Sequence, residues 1–178
     1  IRRATPAVVD IEVSMGTPVA TAVNISPGLT FNLNGADGLP LTYELYRAPG
    51  DFTSNITIPA GKRGVIAFGL EGKFADPIIV ESAGGPDQFI DILGTNILDD
   101  PFVVELLTGS TITEFTRVTN IERFGPNDPV FEIRFLEDRA RVIFGDDVTG
   151  RAPLTGQTIT IRYRTGGGIR GRIGANFI

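Results

Sequence analysis

The 178-residue chain contains no Cys, no His and no Trp. Without Cys there are no disulfides, and nothing points to an oxidising compartment. Zinc sites built on thiolate or imidazole are ruled out. So are the nucleophile–His arrangements of Cys and Ser hydrolases, because the base is missing. Lys is scarce as well, with only Lys62 and Lys73. Chemistry on this chain alone would have to use carboxylates, Lys, Tyr or a hard metal ion, and the expectation is that it is not an enzyme and carries no cofactor. No apolar run approaches the ~20 residues that span a bilayer, so no membrane association is expected. Ile1-Arg2-Arg3 is basic but lacks the apolar stretch of a signal peptide. The Ile start fits a processed product or a fragment of a longer polypeptide.

What is present is ordinary in amount and uneven in placement. Hydrophobic residues make up 42 % and charged residues 21 %, enough for a folded core. The net charge is −5. From Arg139 to Ile178, seven Arg face only Asp146 and Asp147, so +5 there leaves −10 for the residues before it. An acidic body with an Arg-rich end can steer protein partners through complementary fields, although a lopsided solvated surface would look the same.

Apolar and polar residues alternate with a period of two in Val9 to Val13, Phe31 to Asn34, Leu41 to Leu45, Val130 to Phe135 and Thr158 to Arg164. Such alternation marks half-buried strands. In the last run Ile159, Ile161 and Tyr163 oppose Thr158, Thr160, Arg162 and Arg164. Twenty-two Gly and twelve Pro punctuate the runs, leaving little room for helices. Asp100 to Leu107 is the best helical window, with Asp100 as N-cap and Pro101 in the first turn. Its β-prone Phe102-Val103-Val104 favours a strand. The expected fold is mainly β, with short antiparallel strands in one or two small sandwich-like or barrel-like subdomains and little helix. The Gly84-Gly85-Pro86 stretch is the expected boundary, giving an N-terminal β subdomain over 1–85 and a C-terminal one over 86–178.

Several motifs suggest chemistry and are better read as turns. Gly166, Gly168 and Gly171 match G-x-G-x-x-G after a strand, but no helix and no ribose-binding acid follow. Arg162, Arg164, Arg170 and Arg172 lack the aromatic stacking partners that nucleic acid favours, and the chain is acidic overall. Asp146-Asp147 and Asn34 to Asp37 sit in Gly-bearing turns without calcium-loop spacing. Asn24-Ile25-Ser26 and Asn55-Ile56-Thr57 are formal glycosylation acceptors with nothing else to support secretion. The neighbours Glu137/Asp138 and Asp99/Asp100 would point to opposite faces of a strand, so neither makes an acid–base pair.

One region resembles a known pattern. A strand ending at Phe144 runs into Gly145-Asp146-Asp147, then Gly150-Arg151-Ala152-Pro153. Gly156 opens a strand that ends Tyr163-Arg164, and Gly166, Gly168, Gly171 and Gly174 mark the exit. This resembles the baseplate J-like family of contractile tails from about Arg123 to Ala175. Gly125 to Phe131 is similar to that family's lead-in, and Ile56 to Gly61 to its I-P-A-G turn. Asp147 stands where the family usually has Gly, and Arg172 where it usually has Asn. Asp enters the left-handed region at modest cost, so the turn should survive.

The resemblance implies a structural wedge protein of the virion tail, assembled in the host cytoplasm. Such a protein pairs with itself and with other wedge and hub proteins to close a ring, and helical segments flank the β-rich middle. No residue is catalytic. The motif residues are structural, and Arg162, Arg170 and Arg172 are the interface candidates. Gly166 to Gly168 would provide a hinge. The competing expectation is a β-sandwich binding module of a tail fibre or adhesin that recognises a host glycan through Tyr43 and Tyr46.

Overall fold

The computed structural model describes residues 6–35 and 38–167. The described residues are mainly β, with one 3-10 turn at Ile121–Arg123 and no α-helix. Two compact units divide at Lys73/Phe74.

The first unit is built from β1 (Val8–Ser14), β2 (Val23–Ile25), β3 (Leu29–Asn34), β4 (Pro40–Tyr46), β5 (Ile56–Ile58) and β6 (Gly64–Glu71). A four-stranded antiparallel sheet runs β1-β6-β4-β3, and β2 pairs with β5 as a separate ribbon. The alternation in β1 holds residue by residue, with Val9, Ile11 and Val13 turned inward. Leu45, Ile56 and Ala67 form the core, joined by Ile11, Val13, Ile25, Phe31 and Val65. Gly69 is required there: a Cβ would lie 2.8 Å from Val9 Cγ1 and 3.0 Å from the Phe31 ring. The missing side chain lets Phe31 lie over β6 and stack on Tyr43 at 5.5 Å.

The second unit contains β7 (Lys73–Phe74), whose two residues straddle the division, then β8 (Ile78–Glu81), β9 (Phe89–Leu93), β10 (Ile97–Thr108), β11 (Thr111–Val118), β12 (Val130–Phe135), β13 (Arg139–Phe144) and β14 (Thr158–Thr165). Its sheet runs β7-β14-β10-β11-β12-β13-β9, and β8 also pairs with β14. Ile78 and Val80 near one end of this order pack on the same core as Ile90 and Ile92 at the other. The sheet is therefore curled on itself as an open half-barrel around Phe102, Val104, Leu106, Phe131, Val142, Ile159 and Ile161.

Two expectations need correcting in detail. The β11–β12 pair is parallel, because the chain crosses over through residues 119–129 instead of turning back in a hairpin. The Asp100 to Leu107 window is strand, as its β-prone residues favour; it lies within β10, whose register with β14 breaks between Ile97 and Phe102. Pro101, which has no N–H to offer the ladder, falls in that break.

The second correction concerns Gly84-Gly85-Pro86, which lies inside the second unit and not at the division. β8 before it and β9 after it serve one core. Thr155 Oγ1 donates to the Ala83 carbonyl (3.1 Å), and a Cβ on Gly84 would lie 2.0 Å from that same hydroxyl oxygen. A glycine-rich segment held this closely is a packed turn.

Candidate functional site

The motif residues gather in the loop from Phe144 to Gln157, between β13 and β14. Its two carboxylates, Asp146 and Asp147, are spent on its own backbone. Asp146 Oδ1 accepts from the N–H of Val148 (2.9 Å), the N–H of Thr149 (2.6 Å) and Thr149 Oγ1 (3.1 Å). The Thr149 N–H, then that of Val148, holds the Asp146 carboxyl below its usual range, since these bonds favour the charged form. Asp147 adopts φ 65°, the left-handed conformation expected of it. It donates its N–H to the Gly150 carbonyl (3.1 Å), and its Oδ1 accepts from the Ala152 N–H (2.8 Å).

Two glycines allow the loop to close. A Cβ on Gly145 would lie 2.1 Å from the Gly150 carbonyl carbon and oxygen. Gly150 has φ 72°, and a Cβ there would press on Ile121 Cγ1 at 2.9 Å. The loop is also fastened to the β11–β12 crossover. Gly150 N–H donates to the Gly125 carbonyl (3.1 Å), and Arg151 N–H to the Asp128 carbonyl (2.8 Å). Asp128 in turn accepts from the Gly125 N–H (2.8 Å).

The second half of the loop is locked by side chains that the sequence reading passed over. The buried Pro153 carbonyl accepts from Gln88 Nε2 (2.8 Å) and Ser82 Oγ (3.3 Å). The single Ser82 hydroxyl proton is shared with Gln88 Oε1, the nearer acceptor at 2.8 Å. Gln157 accepts from the Leu154 N–H (2.8 Å) and donates to Thr108 Oγ1 (2.6 Å). Gly156, at φ 80°, donates its N–H to the Ser82 carbonyl (3.0 Å). Single polar residues in turns carry no sequence signal for such a lock, because their partners are far away in the chain.

The remaining candidates part company. Tyr163 is half-buried and stacks on Phe102 at 6.1 Å. Arg164, placed on the polar face by alternation, is fully buried, with its guanidinium 5.0 Å above the Phe74 ring. Delocalised and weakly hydrated, guanidinium tolerates this better than ammonium. Arg162 is exposed on β14 and ion-paired with Glu105 of β10. Gly166 follows β14 outside any strand, while Gly168, Arg170, Gly171, Arg172 and Gly174 lie outside the described residues. Asp37 lies outside them too.

Much of the Arg-rich charge is balanced locally. Arg141 makes a two-pronged pair with Asp91 (2.7 and 2.8 Å) and covers the Phe89 ring at 3.9 Å. Arg139 bonds Asp138 (2.8 Å) and Asp91 (3.2 Å). The Arg141 bonds, then those of Arg139, hold the Asp91 carboxyl below its usual range. Glu137 and Asp138 fall in the turn before β13, not on a strand. Asp99 pairs with Arg117 at 2.6 Å.

The glycan-stacking candidates fail on burial, because Tyr43 and Tyr46 are 0 % and 2 % exposed. Burial, followed by the charge of Glu71, pushes the Tyr43 hydroxyl up to about 12. Tyr46 donates its hydroxyl to Glu44 at 2.6 Å. A shallow polar cleft of about 240 Å³ lies between Thr119, Asn120, Ile121, Glu122, Glu132 and Arg134. Among the described residues, no cluster of three acidic side chains is arranged to hold a metal ion. Neither the protein-family models nor the curated proteins compared with this chain gave a match.

Proposed function

We propose that this chain is a structural module of a contractile-tail baseplate wedge, working by protein–protein contact and joining wedge subunits into the ring around the hub. The supporting observation is the Phe144 to Gln157 loop. It lies within the stretch from about Arg123 to Ala175 that resembles the baseplate J-like family, and its carboxylates, its glycines and the Pro153 carbonyl that Gln88 bonds all serve to hold the loop's shape. A catalytic or ligand-binding loop leaves polar groups pointing at an open space. A loop bonded to itself and to the neighbouring connections presents a fixed surface, as a ring subunit needs. The proposed partners are other copies of the chain and neighbouring wedge and hub proteins, and the proposed location is the virion tail.

The test is to tag the full-length protein and image the particles that contain it. Label at six equivalent positions around the end of the tail is the expected result. Particles free of label, from cells in which the tagged chain is abundant and stable, would remove the reading. The glycan-binding alternative has lost its aromatic platform to the core, and no other observation favours it.

A further inference from the structure

β9 ends the larger sheet, pairing with β13 on one side only. Gly94 N–H donates to the Asp138 carbonyl (2.8 Å), and Phe144 N–H to the Gln88 carbonyl (3.0 Å). In an antiparallel ladder, backbone groups alternate between the two sides of a strand. The even-numbered residues of β9 therefore bond β13, while Phe89, Asp91 and Leu93 turn their N–H and C=O to the free side. Among the described residues no strand pairs with that side. Their side chains lie on the outer face, with Phe89 52 % and Leu93 72 % exposed, whereas Ile92 is buried and Ile90 packs against the core.

Edge strands of soluble proteins are normally blunted by Lys, Pro, a bulge or a cover. Phe-Ile-Asp-Ile-Leu has no Lys, no Pro and no bulge in its register with β13. Its one charged residue, Asp91, is drawn back over the sheet by Arg139 and Arg141. Those two Arg with Asp91 and Asp138 make a patch of no net charge.

We propose that β9 is a homotypic docking edge, pairing antiparallel with β9 of a second copy of this chain about a two-fold axis at Asp91. The occupant follows from the symmetry of the five residues, which read apolar-Ile-Asp-Ile-apolar in either direction. Two-fold pairing sets Phe89 opposite the second copy's Leu93 on the outer face. It sets Ile90 opposite Ile92 on the core face, so both apolar rows continue across the junction. The open backbone groups at Phe89, Asp91 and Leu93 all fall in the bonded register, giving about six new hydrogen bonds. Two bare carboxylates at the axis would repel. Here each is already neutralised by its own Arg clamp. An isologous contact of this kind closes at two copies and does not propagate. The inference rests on the geometry of β9 and is independent of the wedge reading, so either can fail without the other.

The test uses the full chain, whose lack of Cys gives a clean background. Phe89→Cys and Leu93→Cys are purified separately and oxidised mildly, alone and mixed. In the proposed register, residue 89 lies opposite residue 93, within disulfide reach of ~5.5 Å. Like residues lie about 13 Å apart. The mixture should cross-link and each single variant should not.

Sedimentation of the unmodified chain should show a monomer–dimer equilibrium. Leu93→Lys should weaken it at least tenfold with an unchanged circular dichroism spectrum. Leu93→Pro, which removes a free-side N–H and no bond to β13, should do the same. A monomer at every soluble concentration, a dimer indifferent to both Leu93 variants, or single Cys variants that cross-link as readily as the mixture would each overturn the proposal.

Discussion

Gly145 and Asp146 show how much of the motif loop depends on single atoms. At Gly145 a side chain has no room, since its Cβ would lie 2.1 Å from the Gly150 backbone. Gly145→Ala should cost about 3 kcal/mol or more, because backbone and not a yielding side chain must move. Gly156 is the control. A Cβ there meets nothing within 4 Å, but φ is 80°, so Gly156→Ala should cost only about 1 kcal/mol of left-handed strain. Urea unfolding of the two variants should rank them in that order.

Asp146 gives a pH signature. Its folded-state pKa is held below the ordinary 3.8, first by the Thr149 N–H and then by that of Val148. A depressed carboxyl pKa contributes stability that is fully present above the unfolded value and disappears as pH falls through the folded one. Asp51, capped chiefly by the Ser54 N–H, and Asp91 act in the same direction. The urea midpoint should therefore drop as pH falls through the ordinary carboxyl value of 3.8 and below it. Asp146→Asn should flatten part of that slope. A slope identical to the parent's would show that the loop carboxylate is not held as described.

At the scale of elements, two connections of the larger unit are joined to each other. Ser82, Gln88 and Gln157 tie the β8–β9 connection, the β13–β14 loop and the end of β10 together. Gln157 is 4 % exposed and bonded at both ends of its amide. Truncation leaves the Leu154 N–H and the Thr108 hydroxyl without these partners. Gln157→Ala should therefore cost about 2 kcal/mol, measured as a shift in the denaturation midpoint at unchanged slope. The same lock explains why Gly84-Gly85-Pro86 is not a linker. Glycine supplies the conformations and close approach for a packed turn as readily as it supplies flexibility.

At the scale of the whole molecule, residues 74–165 hold a continuous strand set around their own core. A fragment spanning 74–167 should fold alone, with dispersed amide resonances and a cooperative thermal transition. A fragment that stays unfolded would show that the larger unit depends on residues 1–73. The charge asymmetry also looks different at this scale. Asp91 and Asp138 from the acidic portion meet Arg139 and Arg141, and Glu105 meets Arg162. Part of the imbalance along the chain therefore cancels in local ion pairs.

The β character, the strand runs and the left-handed Asp147 were legible in the sequence, because a period of two and the tolerance of Gly and Asp for positive φ are local properties. Locality also explains where the reading stopped. The parallel β11–β12 pair, the division at Lys73/Phe74 and the lock at Ser82, Gln88 and Gln157 join residues far apart in the chain. Alternation at Arg164 named the face but not what covers it, which includes the Phe74 ring. Which edge of the sheet stays open was likewise a tertiary outcome. Only the curled strand order leaves β9 at the rim, and an apolar run reads the same in the middle of a sheet as at its edge.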